Sequence, residues 1–247
     1  MIDATIAAGQ ASNKIEAKGI NWRVLPETFW VIGGIFGSGK GDFLATAAGL
    51  QRPARGVVKL FGHETFTLDE EVLVAHRRRI GLVFSNGGRL FNRLTIAENV
   101  ALPLRYHGNL PVADAEKFVR EVLDLTQLTS SAHRFPSTLS VNWQLRAALA
   151  RTLILKPEIL LLDNPLAGMD LRHQRWMLDF LIQLSEGLAF CGGKRVTIVA
   201  TTENLEPWKT VARQFAILRN NQWREIGLRA DLETSGEMLQ EVWADES

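Results

Sequence analysis

The residues in this 247-residue chain best equipped for chemistry form one stretch, Gly34-Ile35-Phe36-Gly37-Ser38-Gly39-Lys40-Gly41-Asp42. An apolar run, Phe29-Trp30-Val31-Ile32, reads as a buried strand before it, and a helix is expected over Gly41–Leu50 after it. A strand, a glycine-rich turn and a lysine at a helix start make an anion cradle. Glycines let backbone N–H groups converge on a phosphate, the helix dipole favours negative charge, and Lys40 reaches the terminal phosphates. The Ser or Thr hydroxyl that ligates magnesium after such a lysine is missing, because the next residue is Gly41. Asp42 then brings a carboxylate towards the α- and β-phosphates. Two unit charges about 4 Å apart at an effective dielectric near 20 repel by roughly 4 kcal/mol before screening. A helix N-terminus nevertheless welcomes an aspartate, so Asp42 favours the empty loop over the loaded one.

The elements around this stretch read as an alternating α/β fold. Two further apolar runs, Glu158–Asp163 and Val196–Thr201, have the character of parallel strands covered on both faces. Helices are expected over Leu171–Glu186, with apolar residues at Trp176, Leu178, Phe180, Leu181 and Leu184, and over Asn204–Arg213. From about Leu94 to Leu155 the pattern is helical only: Thr95–Leu104, Val112–Leu125 (Ala115, Phe118, Val119, Val122 and Leu123 inward) and Val141–Leu155. Phe215–Leu218 and Trp223–Ile226 read as strands joined by a turn at Arg219-Asn220-Asn221-Gln222, since Asn tolerates positive φ.

Composition narrows the function classes. Lys and Arg number 28 against 27 Asp and Glu, for a net charge of +1, with 46% hydrophobic and 22% charged residues. Nothing there suggests nucleic-acid binding, and the basic run His76-Arg77-Arg78-Arg79 is expected to be a solvated helix face. The single cysteine, Cys191, excludes an intrachain disulfide and suits a reducing compartment; its setting suggests an unreactive thiol in a loop. The N-terminal residues lack the charge and apolar core of a signal peptide, and no apolar run reaches membrane-spanning length. A cytoplasmic location is expected, at the membrane only through another subunit.

Six segments in order resemble the ATPase subunits of ATP-binding-cassette (ABC) transporters, over nearly the whole chain. They are the phosphate loop (Walker A), the strand Gly56–Gly62, and Arg79–Phe84 continuing to Leu90–Val100 through the Q-loop. Then come Leu139-Ser140-Val141-Asn142-Trp143-Gln144 through Arg151 as the signature motif, Ile159–Pro165 as Walker B with Ala167-Gly168-Met169-Asp170 as the D-loop, and Ala200–Leu205 as the switch. The resemblance implies a P-loop NTPase core with a mostly parallel sheet and an N-terminal antiparallel β part. It also implies a single nucleotide-binding domain over residues 1–247, with an all-helical subdomain inserted at about 94–155. The wording from Gly88 to Arg105 looks nearest to importer cassettes and to those of lipid-trafficking (MCE-type) systems.

Departures from the family pattern fall on its chemistry. Ser85 stands where the Q-loop glutamine is expected, Val141 and Asn142 where two signature glycines follow Ser140, and Thr202 where the switch histidine belongs. Asp163 remains as a magnesium ligand, but the glutamate that polarises the attacking water is replaced by Asn164. An amide cannot take a proton at neutral pH, and a general base contributes about 10²–10⁴-fold. No aromatic residue precedes Trp22 where one would stack on adenine. The resemblance therefore implies a degenerate ATP-binding subunit with weakened ATP and magnesium binding and little or no hydrolysis. It would pair, as homo- or heterodimer, with a second nucleotide-binding subunit beneath a transmembrane permease at the inner face of the cytoplasmic membrane, with Phe91 and Leu94 as exposed residues that either receive that permease or pack the helical subdomain. Two alternatives stand beside it: a scaffold that binds no nucleotide, and an active ATPase that uses Asp42 or Glu203 as a substitute carboxylate.

Overall fold

A computed structural model describes residues 1–8, 15–85, 89–107 and 112–234. The strands are β1 (Ile2–Ala8), β2 (Ile15–Ile20), β3 (Phe29–Gly33), β4 (Arg55–Val57), β5 (Lys59–Leu60), β6 (His63–Glu64), β7 (Ile80–Val83), β8 (Ile159–Leu162), β9 (Thr197–Thr202), β10 (Gln214–Arg219) and β11 (Gln222–Leu228). The helices are α1 (Lys40–Ala47), α2 (Glu70–Arg77), α3 (Ile96–His107), α4 (Val112–Leu125), α5 (Val141–Leu153), α6 (Leu171–Glu186) and α7 (Arg229–Thr234). Nine strands form one sheet in the order β4-β1-β2-β11-β10-β3-β9-β8-β7. The run from β10 to β7 is parallel, while β1 pairs antiparallel with β2 and β4. This is the mixed α/β architecture that the sequence predicts.

The parallel strands are apolar on both faces because both faces are covered. Phe29 and Val31 of β3, Leu160 and Leu162 of β8, and Ile198 and Ala200 of β9 join one core with α3, α5 and α6. Trp30, Ile32, Leu161 and Val199 point to the other, packing on Phe43 and Leu44 of α1 and on the β1–β2 hairpin. Period-two alternation thus serves two cores at once. Trp22, Trp30, Phe43 and Trp223 fill the second core, with Phe43 stacked on Trp223 at 5.0 Å and Trp22 edge-on to Trp30 at 5.8 Å.

Between β7 and β8 the described residues carry helices and no strand. Helix α3 starts with a reciprocal cap: the Glu98 N–H donates to Thr95 Oγ1 at 3.2 Å, and the Thr95 N–H donates to Glu98 Oε2 at 2.7 Å. Buried Asn99 pins the preceding loop, accepting from the Phe91 N–H and donating to the carbonyls of Phe91, Leu94 and Thr95.

Three expectations need correction. Asn204–Arg213 forms only one 3₁₀ turn, Glu206–Trp208. Pro207 lacks the N–H that a longer helix needs and disfavours helical backbone at Glu206. The basic run is not a solvated face. Arg77 Nε donates to the Gly49 carbonyl at 3.0 Å, Arg79 pairs with Glu158 at 2.8 Å and lies 3.5 Å over the Phe61 ring, and His76 stacks on Phe61. Finally, Phe91 is exposed, but Leu94 is half-buried. The Asn-Asn turn forms as expected, with φ of 49° at Asn220 and 62° at Asn221.

Candidate functional site

Parallel register sets the site. Gly33 pairs with Thr202 and Leu162 with Ala200, so the residues after β3, β8 and β9 emerge together at the carboxyl edge of the sheet. In open α/β sheets this edge is where ligands bind. The Gly34 N–H donates to the Thr202 carbonyl at 3.0 Å, tying the loop's first residue to the switch strand. A Cβ on Gly34 would lie 2.5 Å from the Leu218 carbonyl oxygen, so only glycine fits. Gly37 and Gly39 hold φ of 77° and 87°, and the chain enters α1 at Lys40. Phe36 stands 87% exposed on the loop's outer side.

Lys40 is buried, and its ammonium donates to the carbonyls of Gly34 and Ile35, both at 2.6 Å. Burial lowers its pKa, while the charges of Glu203 and Asp163 oppose the shift. Both carboxylates therefore act on the ammonium electrostatically. Asp163 follows β8, and its Oδ1 accepts from Thr201 Oγ1 at 3.0 Å. A Cβ on Gly41 would meet Asp163 Oδ2 at 3.5 Å, an ordinary contact. The position that lacks a hydroxyl thus faces the remaining acidic ligand. Glycine loop, helix start and lysine fit a nucleotide's phosphates. Magnesium fits less well, with Asp163 as its one carboxylate here; among the described residues no three His, Cys, Asp or Glu groups cluster as a metal site. Asp42 is half-buried in the first turn of α1.

Asn164 has φ of 45°, a left-handed conformation that Asn tolerates. Its N–H donates to Thr201 Oγ1 at 3.0 Å and its side-chain amide to Glu203 Oε1 at 3.1 Å. Thr202, at the switch position, is turned back on its own loop: Oγ1 donates to the Asn204 carbonyl at 2.9 Å and accepts from the Asn204 N–H at 3.1 Å. Thr201 is the residue that sequence reasoning did not single out. Thr201 is fully buried near the end of β9, where a threonine hydroxyl needs partners, and that was the available signal.

The signature residues are built into a second cluster. Exposed Ser140 takes the N-cap position of α5 without a side-chain capping bond, Val141 is 57% exposed, and Asn142 Nδ2 donates to Asp170 Oδ2 at 3.4 Å. Asp170 caps α6 through the His173 N–H and also meets His173 Nδ1 at 2.7 Å. Those bonds hold its carboxyl below the usual range. Buried Arg146 lies between the Trp143 and Trp176 rings, 4.6 and 3.6 Å from their centroids, and donates to Gln127 Oε1 at 2.8 Å. Burial, reinforced by Arg172 and opposed by Asp170, lowers its pKa to about 10. Among the described residues no hydrogen bond joins this cluster to the phosphate loop. Ser85 lies half-buried just beyond β7, and residues 86–88, the rest of the expected Q-loop, lie outside the described residues.

The ABC transporter family model matches residues 17–167, which include the phosphate loop, the signature helix and β8. This chain belongs to the ABC transporter family. The methionine import ATP-binding protein MetN of Aliivibrio fischeri is 31% identical over 224 residues, covering 90% of this chain and 63% of that protein. MetN 1 of Acinetobacter baylyi is 32% identical over 191 residues, or 77% and 51% of the two chains. The sulfate/thiosulfate import ATP-binding protein CysA of Synechocystis is 31% identical over 215 residues, 87% and 57%. The chain thus spans roughly half to three-fifths of these relatives' lengths. Among solved structures, the ATP-binding cassette MJ0796, in a dimeric post-hydrolysis state bound to ADP and Pi, superposes with a TM-score of 0.80 at 30% identity, covering 92% of this chain and 97% of that one. The relatives' names concern import of small molecules and ions; they lend nothing to the lipid-trafficking side of the resemblance.

Proposed function

We propose that this chain is the ATP-binding subunit of an ABC import complex, holding ATP on the Lys40 loop and turning it over slowly. The observation that carries this reading is the formed cradle: Gly37 and Gly39 in left-handed conformation, α1 beginning at Lys40, and Asp163 facing residue 41. Slow turnover follows from Gly41 without a hydroxyl, Asn164 in place of a general base, and Thr202 hydrogen-bonded within its own loop. Residues 1–247 act as one nucleotide-binding domain, with the helices between β7 and β8 as its subdomain.

The chain pairs with a second nucleotide-binding subunit beneath a permease at the inner face of the membrane. No described helix is long and apolar enough to cross a membrane. A depression of about 430 Å³, lined by Phe91, Leu102 and Tyr106 together with Arg78, Arg89 and Arg151, offers the permease a mixed apolar and basic seat.

The scaffold reading has one observation in its favour. Lys40's ammonium is already satisfied by two loop carbonyls and faces two carboxylates, so the loop is stable without an anion. Calorimetric titration with ATP, ADP and magnesium varied separately, on wild type and Lys40→Ala, decides between them. Micromolar binding lost in the variant supports the ATP-binding subunit; no binding at millimolar ATP refutes it.

A further inference from the structure

The amide of Asn164 and the carboxylate of Glu203 sit side by side at the carboxyl edge of the sheet, one after β8 and the other after β9. Asn164 occupies the position where the family's water-polarising carboxylate is expected, and its Nδ2 holds Glu203 Oε1 at 3.1 Å. A carboxylate is therefore present at this place, supplied by the neighbouring strand. Three features fix it there. Thr201 Oγ1 bridges the Asn164 N–H and Asp163 Oδ1, Thr202 closes a turn onto Asn204, and Glu203's charge reaches the Lys40 ammonium. Among the described residues none bonds Glu203 Oε2, and Glu203 is exposed, so it can both meet water and return a proton to solvent.

We propose that Glu203 is the proton acceptor of this site, with Asn164 as the positioning residue that holds its carboxylate. The water oxygen bonds to the terminal phosphorus of ATP, and the bond from that phosphorus to the β,γ-bridging oxygen breaks with its electron pair leaving on ADP. The water proton passes to Glu203 and from there to bulk solvent. Hydrogen bonding by Asn164 to one carboxylate oxygen leaves the other to accept; Asp42, the other substitute carboxylate considered, lies in the first turn of α1, and the Asn164 amide bonds Glu203 instead. This inference rests on the reading that the loop binds ATP.

The test uses the full chain, alone and with whatever permease and second cassette co-purify with it. Glu203→Gln, Asn164→Ala and the exchange variant Asn164→Glu/Glu203→Gln are compared with wild type for ATP affinity by calorimetry, single-turnover phosphate release across pH, and the identity of the bound nucleotide. Glu203→Gln should bind ATP within about twofold of wild type yet release phosphate about 100-fold more slowly or worse. It should retain ATP where wild type retains ADP, and lose the acid limb of the pH profile. The exchange variant should recover at least a tenth of the rate, and Asn164→Ala should shift the limb without abolishing turnover. Phosphate release unchanged in Glu203→Gln overturns the proposal, as does a wild type that binds ATP and never cleaves it. Absence of ATP binding in wild type refutes instead the reading on which the inference rests.

Discussion

Returning a hydroxyl to residue 41 should restore a magnesium-dependent component of ATP binding. A Cβ added to Gly41 meets only Asp163 Oδ2, at 3.5 Å, and Gly41 is not among the positive-φ residues, so Gly41→Ser requires no movement of the loop. Glycine inside a helix costs about 0.5–1 kcal/mol relative to alanine, and serine recovers part of that, so the variant should melt no lower than wild type. The hydroxyl would share a cation with Asp163 and the nucleotide's own oxygens. Taking a contact to a charged group as worth about 1.5–3 kcal/mol, the Kd for ATP with magnesium should fall roughly 10- to 150-fold. Titration in EDTA should give the same Kd for both proteins. Calorimetry in the two buffers, with a thermal melt as control for folding, reads all of these. Equal affinity of a well-folded Gly41→Ser and wild type in magnesium would refute the argument that residue 41 and Asp163 face one cation position.

Asp42→Asn should tighten ATP binding: if screening leaves a quarter of the roughly 4 kcal/mol repulsion, the Kd falls about fivefold, and an unchanged Kd would place the carboxylate away from the phosphates. Arg146→Ala should destabilise the fold by about 3 kcal/mol or more, because it empties the space between two indole rings. Arg146→Met, which fills that space and removes a desolvated charge, should stay within about 1 kcal/mol of wild type in urea melts; equal losses would show that charge rather than packing matters there. Asp170→Ala should lower the melting temperature at neutral pH but not at acid pH. Its folded pKa is depressed by the His173 bonds, so its contribution is present above the ordinary aspartate range and is lost as pH falls through the lowered value. Cys191 is buried, and burial raises its thiol pKa. Ellman's reagent at pH 8 should therefore label it only as the protein unfolds, and fast labelling of native protein would contradict its burial.

The sheet was legible because strands covered on both faces carry continuous apolar stretches, as β3 and β8 do and as Ile198–Ala200 does at the centre of β9. The ends of helices were harder to read. Asn204–Arg213 carries helical spacing at Leu205, Trp208 and Ala212, all buried, yet Pro207 limits it to one turn; burial of a Trp does not require a helix beneath it. The basic run misled for a related reason. Arg79 and His76 find Glu158 and Phe61 across the fold, and local spacing carries no trace of a partner 79 residues away. In the site, the phosphate loop, Asp163 and the missing groups could all be read from the sequence. The pairing of Asn164 with Glu203 could not, because it depends on β8 and β9 being neighbours in register.

The pattern of what remains in this cassette separates the demands of the fold from those of the ligand. Gly34 has no alternative, since any side chain would strike the Leu218 carbonyl, and Gly37 and Gly39 hold backbone angles that the empty loop itself requires. Even Lys40 has structural work, bonding two carbonyls of its own loop. These residues therefore answer to the loop's own geometry as well as to a phosphate. Val141 and Asn142 make the complementary case: they lie in the first turn of α5, where ordinary helical backbone accepts any side chain, so only close approach by a ligand would have required glycine. Asp163 is different. A half-buried carboxylate beside an empty position at Gly41 contributes little to packing, and Thr201 spends a buried hydroxyl to orient it. If Asp163 serves only as counter-charge to Lys40, then Asp163→Asn should destabilise the protein, and Lys40→Met in the same chain should largely cancel that loss, since the pair would then be uncharged. If it serves a cation brought by ATP, Asp163→Asn should instead leave stability nearly unchanged and abolish the magnesium dependence of binding.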